Sequence, residues 1–328
     1  MTLESFALVA RLLKARAGIV LSSDKTYLLK TRLAPLLRRE GIALLDALAL
    51  QLREPQRVAA LAPALVDALT TNESSFFHDG KPFEHLRRLL PRLDAARPPG
   101  RPLRIWSAAC STGQEAYSAA MIVAKSTMPG CPARRVEILG TNISREVVAR
   151  AREGSSNQFE VQRGLPIRLL TKFFQPEADG GRWRAGPELR AMARFEDANL
   201  LGDLAWFGRF DVIFCRNVLI YFNTPTKMRV LDALARQLAP DGVLYLGSAE
   251  TALGLTNYLV LLAGKSGVFG LPPGPGECAG RTPGTGGAMP VPWWPGRGRR
   301  PPHSPSRTSC RAADRRLPDA LPARPICR

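Results

Sequence analysis

Through the first seventy positions apolar residues recur at helical spacing. Phe6, Val9, Leu12 and Leu13 share one face, Leu29, Leu33, Leu36 and Leu37 another, and Val58, Leu61, Leu65 and Leu69 a third. This predicts a small helical bundle. From Pro102 onward the pattern changes to short apolar runs alternating with helical stretches. Strands are expected at 103–106, 136–140, 194–196, 210–215, 243–247 and 268–271, and helices at 115–124, 145–152 and 225–238. Such alternation predicts an α/β fold with a mostly parallel, doubly wound sheet. Thr224-Pro225 reads as a helix start and Pro240-Asp241-Gly242 as a stop. Residues 258–262 and 268–271, joined by Gly264-Lys265-Ser266-Gly267, are expected to pair as an antiparallel edge hairpin. Between Arg163 and Phe195 the alternation lapses, and Trp183 among Gly180, Gly181 and Gly186 suggests a short hairpin or irregular insert over the sheet's ligand end. After Leu271 Pro, Gly and Arg dominate without apolar periodicity, the composition of a disordered tail.

The stretch RIWSAACSTGQEAYS (104–118) reads as strand, tight loop of small residues, and helix opening on Gln114 and Glu115. Small side chains let the loop backbone approach a ligand, N–H groups at the helix start point at it, and a carboxylate just beyond accepts hydrogen bonds from it. Neither Gly-x-Gly-x-x-Gly nor Gly-x-x-x-x-Gly-Lys-Ser/Thr is present, which disfavours a dinucleotide or triphosphate. An adenosyl ligand without phosphates, S-adenosylmethionine, fits better. Ligands of doubly wound sheets bind at the carboxyl ends of strands. There the chain places Thr112 and Glu115, then Thr141 and Asn142, then Asn199, then Arg216, Asn217 and Tyr221.

Composition narrows the classes further. The six cysteines show no C-x-x-C spacing and the histidines are only His78, His85 and His303, so neither a disulfide framework nor a metal site is expected. Glu4 precedes any basic residue and no long apolar run follows, which argues against a signal peptide or membrane insertion and for a cytoplasmic protein. The net charge is +18, of which the ten arginines beyond Leu271, set against Glu277, Asp314 and Asp319, account for +7, leaving +11 in the body. A basic body favours an acidic partner. Lys25, Lys30, Arg32, Arg38 and Arg39 on the second helix form either a solvated face or a docking surface for an acidic helix.

Taken together, TTNESSFF (70–77), WSAACSTGQEAYS (106–118), NQFEVQRGLP (157–166), ANLL (198–201), FDVIFCRNVLIYF (210–222) and LGSAET (246–251) resemble the chemotaxis receptor glutamate methyltransferases, the CheR family. The resemblance covers residues 1–271. It implies an N-terminal helical domain at 1–72, an interdomain segment at 73–101 that contributes to the cofactor site, and a class I S-adenosylmethionine-dependent methyltransferase domain at 102–271. A small β insert is expected at about 172–196, and a disordered tail at 272–328. It further implies that Asn72, Ser74 and His78 close over S-adenosylmethionine and that Glu115 and Asn142 contact it. Asn199 and Leu200 would line its adenine side, Arg216 and Asn217 would lie beneath its methionine part, and Tyr221, Arg216 and His78 would serve catalysis. The implied partner is the cytoplasmic helical bundle of chemotaxis receptors, met through the basic N-terminal helix by a monomer, with no nucleic acid involved.

Two positions depart from the family pattern. His78 stands where Arg is usual and Asn142 where Asp is usual, the latter an uncharged acceptor. Family members that use a receptor-tail tether bind it on the β insert, and the short segment 175–183 argues against one here. Two alternatives stay open: a non-catalytic cofactor-binding regulator, and a methyltransferase of another substrate. Against base methylation, Arg216-Asn217-Val218-Leu219 lacks an Asp/Asn-Pro-Pro-aromatic element.

Overall fold

The computed structural model describes residues 2–126, 135–178 and 180–273; Cys131 and the tail from 274 lie outside them. Four helices come first: α1 (Leu3–Ala17), α2 (Thr26–Arg39), α3 (Leu45–Gln51) and α4 (Pro55–Leu69). α1 begins where the Thr2 hydroxyl accepts the Ser5 N–H at 3.2 Å and ends at Gly18, whose φ of +74° suits a residue without Cβ. The apolar stripes close on one another, burying Val9, Leu13, Leu29, Leu33, Leu48 and Leu65.

A linker leads to α5 (Lys81–Ala95), β1 (Leu103–Ala108), α6 (Gln114–Ser126), β2 (Val136–Asn142) and α7 (Arg145–Glu153). There follow β3 (Ser155–Asn157), α8 (Gln158–Gln162), α9 (Ile167–Phe173), β4 (Phe174–Pro176), β5 (Arg182–Ala185) and α10 (Pro187–Met192). The chain finishes with β6 (Ala193–Asp197), β7 (Phe210–Cys215), α11 (Thr224–Gln237), β8 (Leu238–Leu246), β9 (Val260–Leu261) and β10 (Val268–Gly270). Seven strands form one sheet in the order β6-β2-β1-β7-β8-β10-β9. The first five are parallel, and β10 pairs antiparallel with both β8 and β9, so the expected edge hairpin forms. The order reverses between β1 and β7, which opens a crevice at their carboxyl ends.

Both faces of the sheet are covered, and side chains alternate between them. Trp106, Ile213 and Leu244 enter the cluster that includes the N-terminal bundle and α11, whereas Ile105, Val212, Phe214 and Tyr245 enter the one built with α5 and α6. The bundle therefore shares its core with one face of the sheet. At the opposite end from the crevice, Arg97 donates to Asp211 Oδ1 (2.7 Å) and to both oxygens of Asp241 (2.7 and 2.6 Å), tying the end of α5 to β7 and β8.

Three local expectations are corrected. α11 is capped by Asn223, whose side chain accepts the Thr226 N–H, so Thr224 is already helical. The helix stops at Gln237, and Pro240-Asp241-Gly242 lie inside β8, where the pairing with β7 shifts register. The small antiparallel sheet has the order β3-β5-β4 and so begins at 155, ahead of the expected 172–196, while 193–197 pairs with β2 in the main sheet. The reason is that β3 finds its partner in β5, a pairing that local periodicity does not encode.

Candidate active site

A cleft of about 380 Å³ lies at the carboxyl ends of the parallel strands. The linker contributes Asn72, Ser74 and His78 to its wall, and the loop and helix after β1 contribute Cys110, Ser111 and Glu115. β2 ends in it at Asn142, β6 leads into it through Asn199 and Leu200, and the segment after β7 supplies Arg216, Asn217 and Tyr221. Every residue singled out by the resemblance thus meets in one place. Two of the strand-end residues do not: Thr112 turns aside to Gln114 Oε1 (2.8 Å), and Thr141 accepts the Trp106 indole N–H (3.0 Å) within the core.

Arg216 is the electrostatic centre, its side chain only 2% exposed. One terminal nitrogen donates to Glu115 Oε2 at 3.2 Å; the other donates to Asp79 and lies 3.4 Å from His78 Nδ1. Glu115 is fixed through its other oxygen, which accepts the Ser107 hydroxyl at 2.7 Å. Burial pushes the Glu115 carboxyl above the usual range, and Arg216 and Ser107 pull it part of the way back. Cys110 lines the cleft too, but burial pushes its thiol up, so it stays protonated and carries no nucleophile.

The linker is stitched to the sheet by hydrogen bonds. Ser111 donates its hydroxyl to the Asn72 carbonyl (2.5 Å), and the Asn142 amide donates to Asn72 Oδ1 (3.2 Å) while its own oxygen accepts the Ser144 N–H (2.9 Å). Asn199 donates to the Arg16 carbonyl at 2.6 Å, which binds the cleft to the end of α1. Among the described residues five non-glycines have positive φ: Phe77, Asp79, Ala109, Ser111 and Asn217. Three line the cleft and the other two flank His78, so the backbone strain is concentrated at the site.

Several lining or supporting residues were not foreseen. Ala17 and Ile19 reach the cleft from the helical bundle, Glu73 and Arg163 pair across its mouth at 2.9 Å, Asp79 holds Arg216, and Glu250 gathers backbone N–H groups behind Asn217. Glu250 stands in LGSAET and Arg163 in NQFEVQRGLP, so the motifs contained them without disclosing what they touch.

The residues present fit S-adenosylmethionine. The cleft offers a buried carboxylate and several side-chain amides for a nucleoside's hydroxyl and amine groups. The Nε–H of Arg216 is buried with no hydrogen-bond partner among the described residues, a donor suited to a carboxylate.

Comparison with known proteins agrees with this arrangement. Residues 4–70 match the family described as CheR methyltransferase, all-alpha domain, and residues 72–268 the one described as CheR methyltransferase, SAM binding domain. The chain is 38% identical over 267 residues to Chemotaxis protein methyltransferase 1 of Pseudomonas aeruginosa, covering 80% of this chain and 96% of that protein. It is 38% identical over 265 residues to Chemotaxis protein methyltransferase of Vibrio parahaemolyticus (79% and 94% covered), and 34% identical over 249 residues to that of Escherichia coli (75% and 83% covered). The chain belongs to the CheR family of S-adenosylmethionine-dependent methyltransferases.

Proposed function

We propose that this protein transfers a methyl group from S-adenosylmethionine to glutamate side chains of chemotaxis receptors, giving glutamyl methyl esters. The observation that carries the reading is Arg216, a buried guanidinium in the same cleft as Tyr221 whose Nε–H has no hydrogen-bond partner among the described residues. Bound S-adenosylmethionine supplies an electrophilic methyl group already activated on a sulfonium. The acceptor needs no general base, because a glutamate with pKa near 4.3 is an ionised nucleophile at pH 7. Arg216 and Tyr221 orient the acceptor carboxylate, and Glu115, Asn142 and Asn199 hold the cofactor. Alignment of the reacting groups and exclusion of water are then the protein's main contributions.

Relatives named chemotaxis protein methyltransferase support the receptor as substrate. Lys25, Lys30, Arg38 and Arg39 are exposed on or beside α2 and supply a basic face for an acidic receptor helix, whereas Arg32 turns inward to the Leu69 carbonyl and Thr71. No described helix is long and apolar enough to cross a membrane. A cytoplasmic monomer approaching the receptor bundle from solution completes the reading.

The test is transfer of labelled methyl from S-adenosylmethionine to a purified receptor cytoplasmic fragment, followed by mild alkali. Label released as methanol, and a drop of on the order of 100-fold for Tyr221→Phe, is the expected result. Cofactor binding without transfer would replace the enzyme by a cofactor-binding regulator.

A further inference from the structure

Glu250 lies just past the end of β8, and both of its carboxylate oxygens are occupied by main-chain donors. Oε2 accepts the N–H of Gly247 (2.7 Å) and of Asn217 (2.8 Å); Oε1 accepts the N–H of Leu219 (2.7 Å) and of Ile220 (3.3 Å). Three of these four donors belong to the short segment that leaves β7 and ends at Tyr221. Among the described residues Glu250 makes no ion pair, so its charge is balanced by oriented amides alone. The two loops meet backbone to backbone. A Cβ at Gly247 would lie 2.7 Å from the Glu250 carboxylate and 3.0 Å from the Asn217 nitrogen, so the absence of a side chain lets the two loops come this close.

The same segment is held from its other side by the helical bundle, where the Val20 N–H donates to the Tyr221 carbonyl at 2.9 Å. Asn217 sits at φ +58°, in the left-handed region that asparagine tolerates better than most residues. In that conformation its amide N–H is held by Glu250.

We propose that Glu250 is a positioning residue of the methyl transfer: by gathering the amides of residues 217, 219 and 220 it sets the place of Tyr221 against Arg216. This rests on the reading of the preceding subsection. A glutamine at 250 keeps the shape but sets an N–H₂ against two N–H donors, loosening the segment without emptying the cleft. Glu250→Gln is therefore expected to lower kcat by on the order of 100-fold while leaving KM for the receptor fragment and Kd for S-adenosylmethionine within about threefold.

The deciding measurement is a double-mutant cycle with Tyr221→Phe. Acting through Tyr221, Glu250→Gln removes little further rate in that background, whereas a general loss of stability would multiply the two effects. Amide hydrogen exchange should show faster exchange at 217–220 and unchanged protection in β1 and β7. Glu250→Asp keeps the charge on a shorter arm and is expected to fall between wild type and Glu250→Gln; it carries the test if the glutamine variant does not fold. Unchanged kcat, fully multiplicative effects, or a loss confined to cofactor binding would overturn the proposal. A wild-type chain that transfers nothing sinks the enzyme reading and this one with it, while an active wild type with an unaffected variant sinks this one alone.

Discussion

Asn142 has both ends of its side-chain amide engaged within the protein. Its position at the end of β2 follows from strand periodicity, and it does line the cleft. Its partners were not legible: the amide nitrogen faces Asn72 Oδ1 and the oxygen serves the Ser144 N–H at the start of α7. One lone pair of that oxygen remains for a ligand hydroxyl, without the charge an aspartate would bring. Asn142→Asp is therefore expected to tighten S-adenosylmethionine binding about fivefold, equivalent to about 1 kcal/mol for a charged in place of a neutral acceptor. Isothermal titration would show it, and the Asn72 amide would turn to present its N–H₂ to the new carboxylate.

At the scale of elements the helical bundle does more than stand beside the catalytic domain. Gly18 ends α1, and Ile19 then forms an antiparallel bridge with Phe222. A Cβ at Gly18 would meet Thr226 Cγ2 at 2.9 Å and Leu201 Cδ1 at 3.1 Å, with φ at +74°. Gly18→Ala combines a left-handed backbone cost of about 1–2 kcal/mol with that crowding, and is expected to lower Tm by several degrees. It should also reduce kcat, because the turn it displaces holds the Tyr221 carbonyl. An unaltered kcat in a folded Gly18→Ala protein would separate the bundle from catalysis. The bounds of α6, α7 and α11 lie within two residues of those expected from apolar spacing, whereas α5 was not expected. The start of α11 was displaced by one residue because Asn223 caps better than the Thr224 hydroxyl that follows it.

For the whole molecule, stability depends on ties made across the sheet. Arg97 is buried between Asp211 and Asp241, and Asp211 also accepts the Arg104 N–H at 2.8 Å. Arg97→Met leaves the buried Asp211 with the Arg104 N–H and the more distant, half-exposed Arg101 at 3.7 Å, and is expected to cost about 2–3 kcal/mol, measured by urea unfolding. The pH dependence follows from Asp241, whose carboxyl the Arg97 guanidinium holds below the usual carboxylate range. The folded pKa being the lower one, the folded state binds fewer protons. This contribution is complete above the ordinary value of about 3.9 and is lost as the pH falls through the folded value. Wild type should lose stability over that acidic window, and Arg97→Met should lose less.

The helical N-terminal region, the strands of the main sheet, its doubly wound class and helices α6, α7 and α11 follow from local sequence, whereas α5, α8, α9 and α10 do not. Hydrophobic periodicity and turn chemistry act over a few residues, and the crevice position follows from topology. The tertiary structure alone decided which groups touch. Asp79 reaches Arg216 across more than a hundred residues of chain, β3 pairs with β5, Gly18 and Val20 clasp the Tyr221 segment, and Glu250 draws two loops together. These are non-local contacts between backbone groups and charges. Their partners are chosen by how packed elements meet in space, a relation that the spacing of residues along one segment does not carry.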